Sequence, residues 1–253
     1  MNIVRNISNF VFGMECLGCG SASERLDPWL CPACRAELER ESKEPSFPGA
    51  DAMCLFPMRP LTRRLIHALK YRSLPGMASY LVGRSAAVGR GTVADRMREL
   101  ARPFYFVPVP LHPSRFRERG YNQAERVAMA LAFRLGGRVC RWLSRSSFRV
   151  SQTKLSRGER EWNVAGAFMS RLPPRLPATG TVFVVDDVYT TGATTASCVA
   201  AFGRSFPLDV KVCTLLYDEP ASAVMDFAAD CRMEWDGNWV GLGKKNAPDG
   251  GAL

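Results

Sequence analysis

The stretch Thr181 to Thr195, TVFVVDDVYTTGATT, constrains the fold more than any other part of the chain. Thr181 to Val185 is a β-branched and aromatic run of the kind buried on both faces of a parallel sheet. Asp186 and Asp187 follow at its carboxyl end. Next come Tyr189, Thr190, Thr191, Gly192, Ala193 and Thr194, whose hydroxyls and backbone N–H groups suit a phosphate, and then a helix expected from about Thr195 to Phe202. The order strand, acids, polar turn, helix places a ligand site outside the carboxyl end of a strand in an open α/β sheet. Two carboxylates beside a phosphate cup repel the phosphate unless the ligand also brings hydroxyls or a metal. A ribose 5-phosphate meets that condition, with the acids on its 2- and 3-hydroxyls and the turn on its phosphate.

Further strands are expected at Phe104 to Val109 and Val210 to Tyr217. Helical periodicity covers Leu61 to Lys70 and Gln123 to Leu135, with two more helical patterns between 76 and 102. The reading is an α/β fold with a mostly parallel sheet flanked by helices. Its expected divisions are residues 1–45, 50–235 and a Gly-rich tail at 236–253.

Cys16, Cys19, Cys31 and Cys34 form two C-x2-C pairs separated by eleven residues, the spacing of a structural zinc site. Gly18 and Gly20 suit a tight first knuckle, and Pro32 shapes the second. Cys54, Cys140, Cys198, Cys213 and Cys231 lack such spacing and are expected to be core or incidental. Residues 37–48 are charged and then proline-bearing, so they read as a linker. Met1 to Phe12 reads as a short amphipathic helix, because it lacks the continuous apolar stretch and cleavage site of a signal peptide. No apolar run is long enough to span a bilayer, and the expected location is the cytoplasm.

The net charge is +10, and it is concentrated. Residues 59–175 carry 24 Lys and Arg against 6 Asp and Glu, while both flanks are net acidic. This middle fits either a solvated basic face or a surface for a polyanion. Arg115, Phe116, Arg117, Arg119 and Tyr121 interleave cations with aromatics, so Phe116 and Tyr121 are either base-stacking groups or core. The polar segment 149–168 has the composition of a functional or a solvated loop. His112, one of two histidines, is assigned no role beyond a possible contact.

The Asp-Asp and Thr-Thr-Gly stretch closely resembles the signature of the type I phosphoribosyltransferases, which bind 5-phosphoribosyl 1-pyrophosphate (PRPP) with magnesium. The four cysteines, Leu69-Lys70-Tyr71-Arg72, PVPLHPSRFRERGYNQAE from Pro108 to Glu125, and the Gln152 to Phe168 segment add to this. With VVDDVYTTGAT, they make the chain similar over nearly its whole length to the ComF family of competence-associated phosphoribosyltransferase-like proteins. The resemblance implies a type I phosphoribosyltransferase fold with a hood over the site. It implies PRPP binding by Asp186, Asp187 and the turn from Tyr189 to Thr194, with the two acids also sensing cationic character at the ribose. Lys70, Arg72, Arg115 and Arg119 are the candidates for the pyrophosphate. It also implies single-stranded DNA and the DNA-uptake machinery as partners in natural transformation. The alternative is a conventional phosphoribosyltransferase acting on a nucleobase or amine. Two positions depart from the family pattern: Ser73 replaces a usual Gly, and Arg149-Val150 replace a frequent Thr-Pro.

Overall fold

The computed structural model of the protein describes residues 14–23, 25–43, 45–49, 51–89, 92–145 and 167–218. The expectations for Met1 to Phe12, for most of the 149–168 segment, for Cys231 and for the tail fall outside the described residues.

At the amino end, β1 (Met14–Glu15) and β2 (Ala22–Ser23) form a small antiparallel hairpin that carries the first cysteine knuckle. Helix α1 (Pro32–Glu41) starts directly after Cys31, with Pro32 in the first turn, where its missing N–H removes no intrahelical hydrogen bond. Strands β3 (Ser46–Gly49) and β4 (Ala52–Pro57) follow, and β3 pairs antiparallel with β4 at the sheet edge. The segment read as a linker is thus the end of a helix and an edge strand. Charge and proline composition describe a solvent-facing edge as well as a tether.

The remaining elements are α2 (Pro60–Tyr71), α3 (Gly76–Arg84), α4 (Ala86–Gly89), α5 (Thr92–Arg98), β5 (Phe104–Pro108), α6 (Pro113–Arg119), α7 (Gln123–Leu135) and β6 (Arg138–Val139). Strands β7 (Leu143–Arg145) and β8 (Phe168–Ser170) then form a separate antiparallel pair. Strand β9 (Thr181–Tyr189), α8 (Ala193–Ala200) and β10 (Asp209–Tyr217) complete the described chain. The main sheet has the order β3-β4-β10-β9-β5-β6, and its last five strands are mutually parallel.

Alternation along the strands sends side chains to two buried layers. Phe104, Phe106, Phe183, Val185 and Leu215 pack against α3 and α7, with the Phe106 and Phe183 rings stacked at 5.3 Å. Tyr105, Val107, Val182, Val184 and Val212 face the opposite layer with Trp142, Cys198 and Phe202. Both faces are covered, as the unbroken apolar runs require.

The cysteine segment shares the first of these cores: Cys16, Leu30, Cys34 and Leu38 pack with Leu61 and Leu65 of α2. The Trp29 ring meets Tyr80 edge-on at 5.3 Å. Arg84 of α3 pairs with Asp27 and, at 3.1 Å, with Glu39. Together these contacts bind the segment to the helices of the larger unit.

Helix α2 buries Leu61, Leu65, Ile66 and Leu69 in the first core, and its two ends meet groups at the carboxyl ends of β10 and β9. At its start the Met58 N–H donates to the Tyr217 carbonyl (2.8 Å), and Arg63 pairs with Asp218 just beyond β10. At its end Lys70 reaches Asp187 of β9, and the Leu69 carbonyl accepts from the Tyr121 hydroxyl.

Candidate functional site

Asp186 and Asp187 are part of β9 and do not follow it. The strand stays parallel to β10 as far as Tyr189, where sequence reading placed its end near Val185. The pairing extends because Tyr217 and Leu216 of β10 continue the ladder past the acids. Beside β9, β5 leads to α7 on one face, and β9 itself leads to α8 on the other. The acids therefore lie near the crevice where the connections diverge, which is where such sheets bind ligands.

Asp187 is 8% exposed, and its carboxylate meets Lys70 Nζ at 3.0 Å. Asp186 is part-buried, and its Oδ1 accepts from the Asp187 backbone N–H at 2.8 Å. Burial, reinforced by the neighbouring Asp187 charge, pushes the Asp186 carboxyl up to about 7. The Asp187 N–H, Lys70 and Arg145 oppose that rise without cancelling it. Arg145, at the end of β7, was not singled out from sequence. It sits over the Phe168 ring at 5.3 Å and interacts with the Asp186 charge. No motif marks it, because β7 is placed by its pairing with β8, and only its charge could have drawn notice.

The polar turn lies at the amino end of α8, two residues earlier than expected. Gly192 has φ +76°, and a side chain there would run into the Tyr189 hydroxyl, so the turn needs glycine on both counts. The Ala193 N–H donates to Thr191 Oγ1 (3.4 Å), and Thr195 Oγ1 donates to the Gly192 carbonyl (2.9 Å). Thr190, Thr191, Ala193 and Thr194 are exposed, leaving hydroxyls and N–H groups open at a helix amino terminus. Tyr189 is buried at 4% exposure, with its ring 6.0 Å from Tyr217, so its side chain belongs to the core.

The cationic candidates separate. Lys70 lies on the acid pair, and Arg115 of α6 is near enough to act on Arg145. Arg119 is buried: it donates to Gln123 Oε1 (3.1 Å) and to the Tyr71 hydroxyl (3.3 Å). Arg72 faces outward, into a small pit with Leu17, Arg64 and His67. Tyr121 is 8% exposed and packs in the core, which removes it as a stacking group, whereas Phe116 is 49% exposed. His112 is the N-cap of α6, where Nδ1 accepts from the Ser114 N–H at 3.2 Å.

At the other end of α2, the thiolate sulfurs of Cys16, Cys19, Cys31 and Cys34 all lie within 4.8 Å of one another. The Cys19 and Cys31 sulfurs are 3.8 Å apart. Four sulfurs at ~2.3 Å from a tetrahedral zinc would stand about 3.8 Å apart, so the donor set fits a structural metal such as zinc. Cys16 Sγ accepts from the Gly18 and Cys31 N–H groups at 3.3 and 3.2 Å, which draws the thiol toward the thiolate against the effect of burial. The Ser21 hydroxyl and N–H bring Cys19 down to about 6. Gly20 has φ +78° and serves the turn, but Gly18 serves a different need. A Cβ on Gly18 would lie 2.7 Å from Cys34 Sγ and 2.8 Å from Leu61 Cδ1. Cys54, Cys198 and Cys213 are buried in the cores and Cys140 is part-buried.

Fold and site together define a mainly parallel α/β protein with an acid pair at a strand's carboxyl end and a four-cysteine cluster docked on the covering helix. No protein-family model matches the chain. It is 34% identical over 152 residues to the DNA utilization protein YhgH of Salmonella typhi, covering 58% of this chain and 63% of that protein. It is 29% identical over 209 residues to the YhgH of Escherichia coli K12 (78% and 87% covered). Against the competence protein ComFC of Streptococcus pneumoniae it is 24% identical over 210 residues (79% and 86%). The chain is thus distantly homologous, at 24–34% identity, to YhgH, ComF and ComFC proteins over most of its length. It spans about 63% of the length of the Salmonella relatives that it matches. Among the described residues, no helix is long and apolar enough to cross a membrane.

Proposed function

We propose that the protein binds PRPP with magnesium at the carboxyl end of β9 and takes part in handling single-stranded DNA during uptake or utilisation. The observation that carries the first part is the acid pair at the carboxyl end of a central strand, followed by an open polar turn at the amino terminus of α8. In this reading Asp186 and Asp187 accept from the ribose 2- and 3-hydroxyls, and the N–H groups and hydroxyls of residues 190–194 receive the 5-phosphate. Carboxylate oxygens are also the donors that magnesium prefers, and the ion would screen the pyrophosphate charge. In this reading Lys70, which pairs with Asp187, and Arg115, which is near Arg145, would meet that charge.

The DNA part is supported by the names of the relatives, a DNA utilization protein and a competence protein, and by the basic middle of the chain. A second reading, phosphoribosyl transfer, is favoured by the acid pair itself. Carboxylates against the ribose would stabilise positive charge there as the bond to pyrophosphate breaks and an acceptor attacks.

Calorimetric titration of the full chain with PRPP and magnesium tests the site. Asp186→Ala combined with Asp187→Ala is expected to abolish binding while the thermal transition persists. Unchanged affinity in that variant would refute the placement. Pyrophosphate release in the presence of a nucleobase would establish the transfer reading.

A further inference from the structure

The exposed face of α2 carries Arg63, Arg64, His67 and Tyr71, Arg72 follows as its C-cap, and the helix contains no acid. Arg63 is paired with Asp218 at 3.8 Å, while Arg64 and Arg72 flank His67 around a pit of about 80 Å³ floored by Leu17 and Ala68. Tyr71 is 54% exposed, although it is among the largest side chains on the helix. It is not loose: the His67 ring lies 4.7 Å away and tilted by 41°, and the Arg119 guanidinium stands 5.0 Å from the ring centroid while donating to its hydroxyl. An aromatic ring held in place and left open to solvent, with guanidinium groups along two turns of the same helix, matches what a single strand offers. Unpaired bases stack on exposed rings, and phosphates pair with the cations between them. An anion without a planar group would use the pit and leave Tyr71 without purpose.

We propose that this face of α2 is a binding track for single-stranded nucleic acid, with a backbone phosphate between Arg64 and Arg72 and a base on Tyr71. The inference deepens the DNA part of the reading above and places the contact away from α6, whose Tyr121 is buried. Lys70, the residue before Tyr71, holds Asp187 beneath the helix. The strand therefore lies on the outer side of the element that covers the acid pair.

The test uses fluorescence anisotropy of the full chain with a labelled oligo(dT), across a range of salt concentrations. Arg64→Glu with Arg72→Glu is expected to weaken binding by about tenfold or more. It should also reduce the salt slope by about 0.7, the value for one lost phosphate contact on a single strand. Tyr71→Leu is expected to weaken binding about fivefold or more with the salt slope kept, because stacking releases no counterions. Arg134→Glu with Arg138→Glu, exposed at the amino ends of the strands, is the control and should change affinity little beyond the general loss of charge. Thermal melting confirms that each variant is folded, and the separate Tyr71 variant keeps the test open should the charge reversal unfold the helix. Equal losses in the α2 and control variants, or wild-type affinity in both α2 variants, would overturn the track while leaving DNA binding standing. No binding by the wild type at low salt would overturn the track and the DNA-handling reading together, and inorganic pyrophosphate abolishing binding at micromolar levels would assign the contact to the acid-pair site instead.

Discussion

Two glycines two residues apart in the first cysteine knuckle should fail in different ways, and the contrast tests how the metal cluster is joined to the rest of the protein. Gly18 is held by space: a Cβ would stand 2.7 and 2.9 Å from the Sγ and Cβ of Cys34 and 2.8 Å from Leu61 Cδ1. Leu61 is fully buried in α2, and Cys34 is anchored in α1, so neither yields freely. Overpacking of this kind costs about 1–3 kcal/mol, and here the displaced group is a candidate metal ligand. Gly20 is held by conformation: φ is +78° and nothing lies within 4 Å. Alanine there costs about 1–2 kcal/mol through the left-handed backbone alone. Asparagine, which tolerates that region, should recover much of the loss at position 20 and worsen it at position 18. Thermal melting of Gly18→Ala, Gly18→Asn, Gly20→Ala and Gly20→Asn, with metal content measured on each, provides the comparison. We expect reduced metal content for both Gly18 variants and near wild-type content for Gly20→Asn. A Gly18→Asn protein that holds as much metal and melts as high as Gly20→Asn would refute the account of how the cluster meets α2.

The acid pair should give the protein a stability that falls as pH rises. Asp186 ionises near 7 in the folded chain and near 3.8 when unfolded, so between those values the folded state holds a proton that the unfolded state has released. Its contribution is present below pH ~4 and is lost as pH climbs to about 7, a change of up to about 4 kcal/mol at ~1.4 per unit. Denaturant unfolding of wild type and Asp186→Asn from pH 4 to 8 should show the wild type losing stability relative to the variant as pH rises to about 7, and parallel curves would contradict it. Just past the end of α2, Ser73 occupies the left-handed region at φ +53°, a conformation that favours glycine. Ser73→Gly should raise stability by about 0.5–1 kcal/mol, read from the unfolding midpoint, and a loss would mean that the serine side chain has a role of its own.

Local chemistry was legible along the chain because it is encoded in neighbouring residues. The run from Thr181 required a buried strand, the C-x2-C pairs required a thiolate cluster, and the helix at Gln123 to Leu135 has the bounds that its periodicity gave. Ser73 stood out against the family pattern, and it proves to sit where the backbone favours glycine. What tertiary structure decided was the company each group keeps. Arg72, Arg115 and Arg119 have the same charge in sequence. One is turned outward, one lies near Arg145, and one is buried against Gln123 and Tyr71, as the packing of α2 and α6 dictates. Tyr121 and Tyr71 were likewise indistinguishable as rings beside cations until packing buried the first and left the second exposed. Arg145 joins the acid pair through a strand pairing that skips more than twenty residues of chain, and no local pattern records such a contact. Charge, hydroxyls and periodicity belong to the sequence, whereas burial and distance arise only when remote segments share a core, and these two set the proton affinity of Asp186.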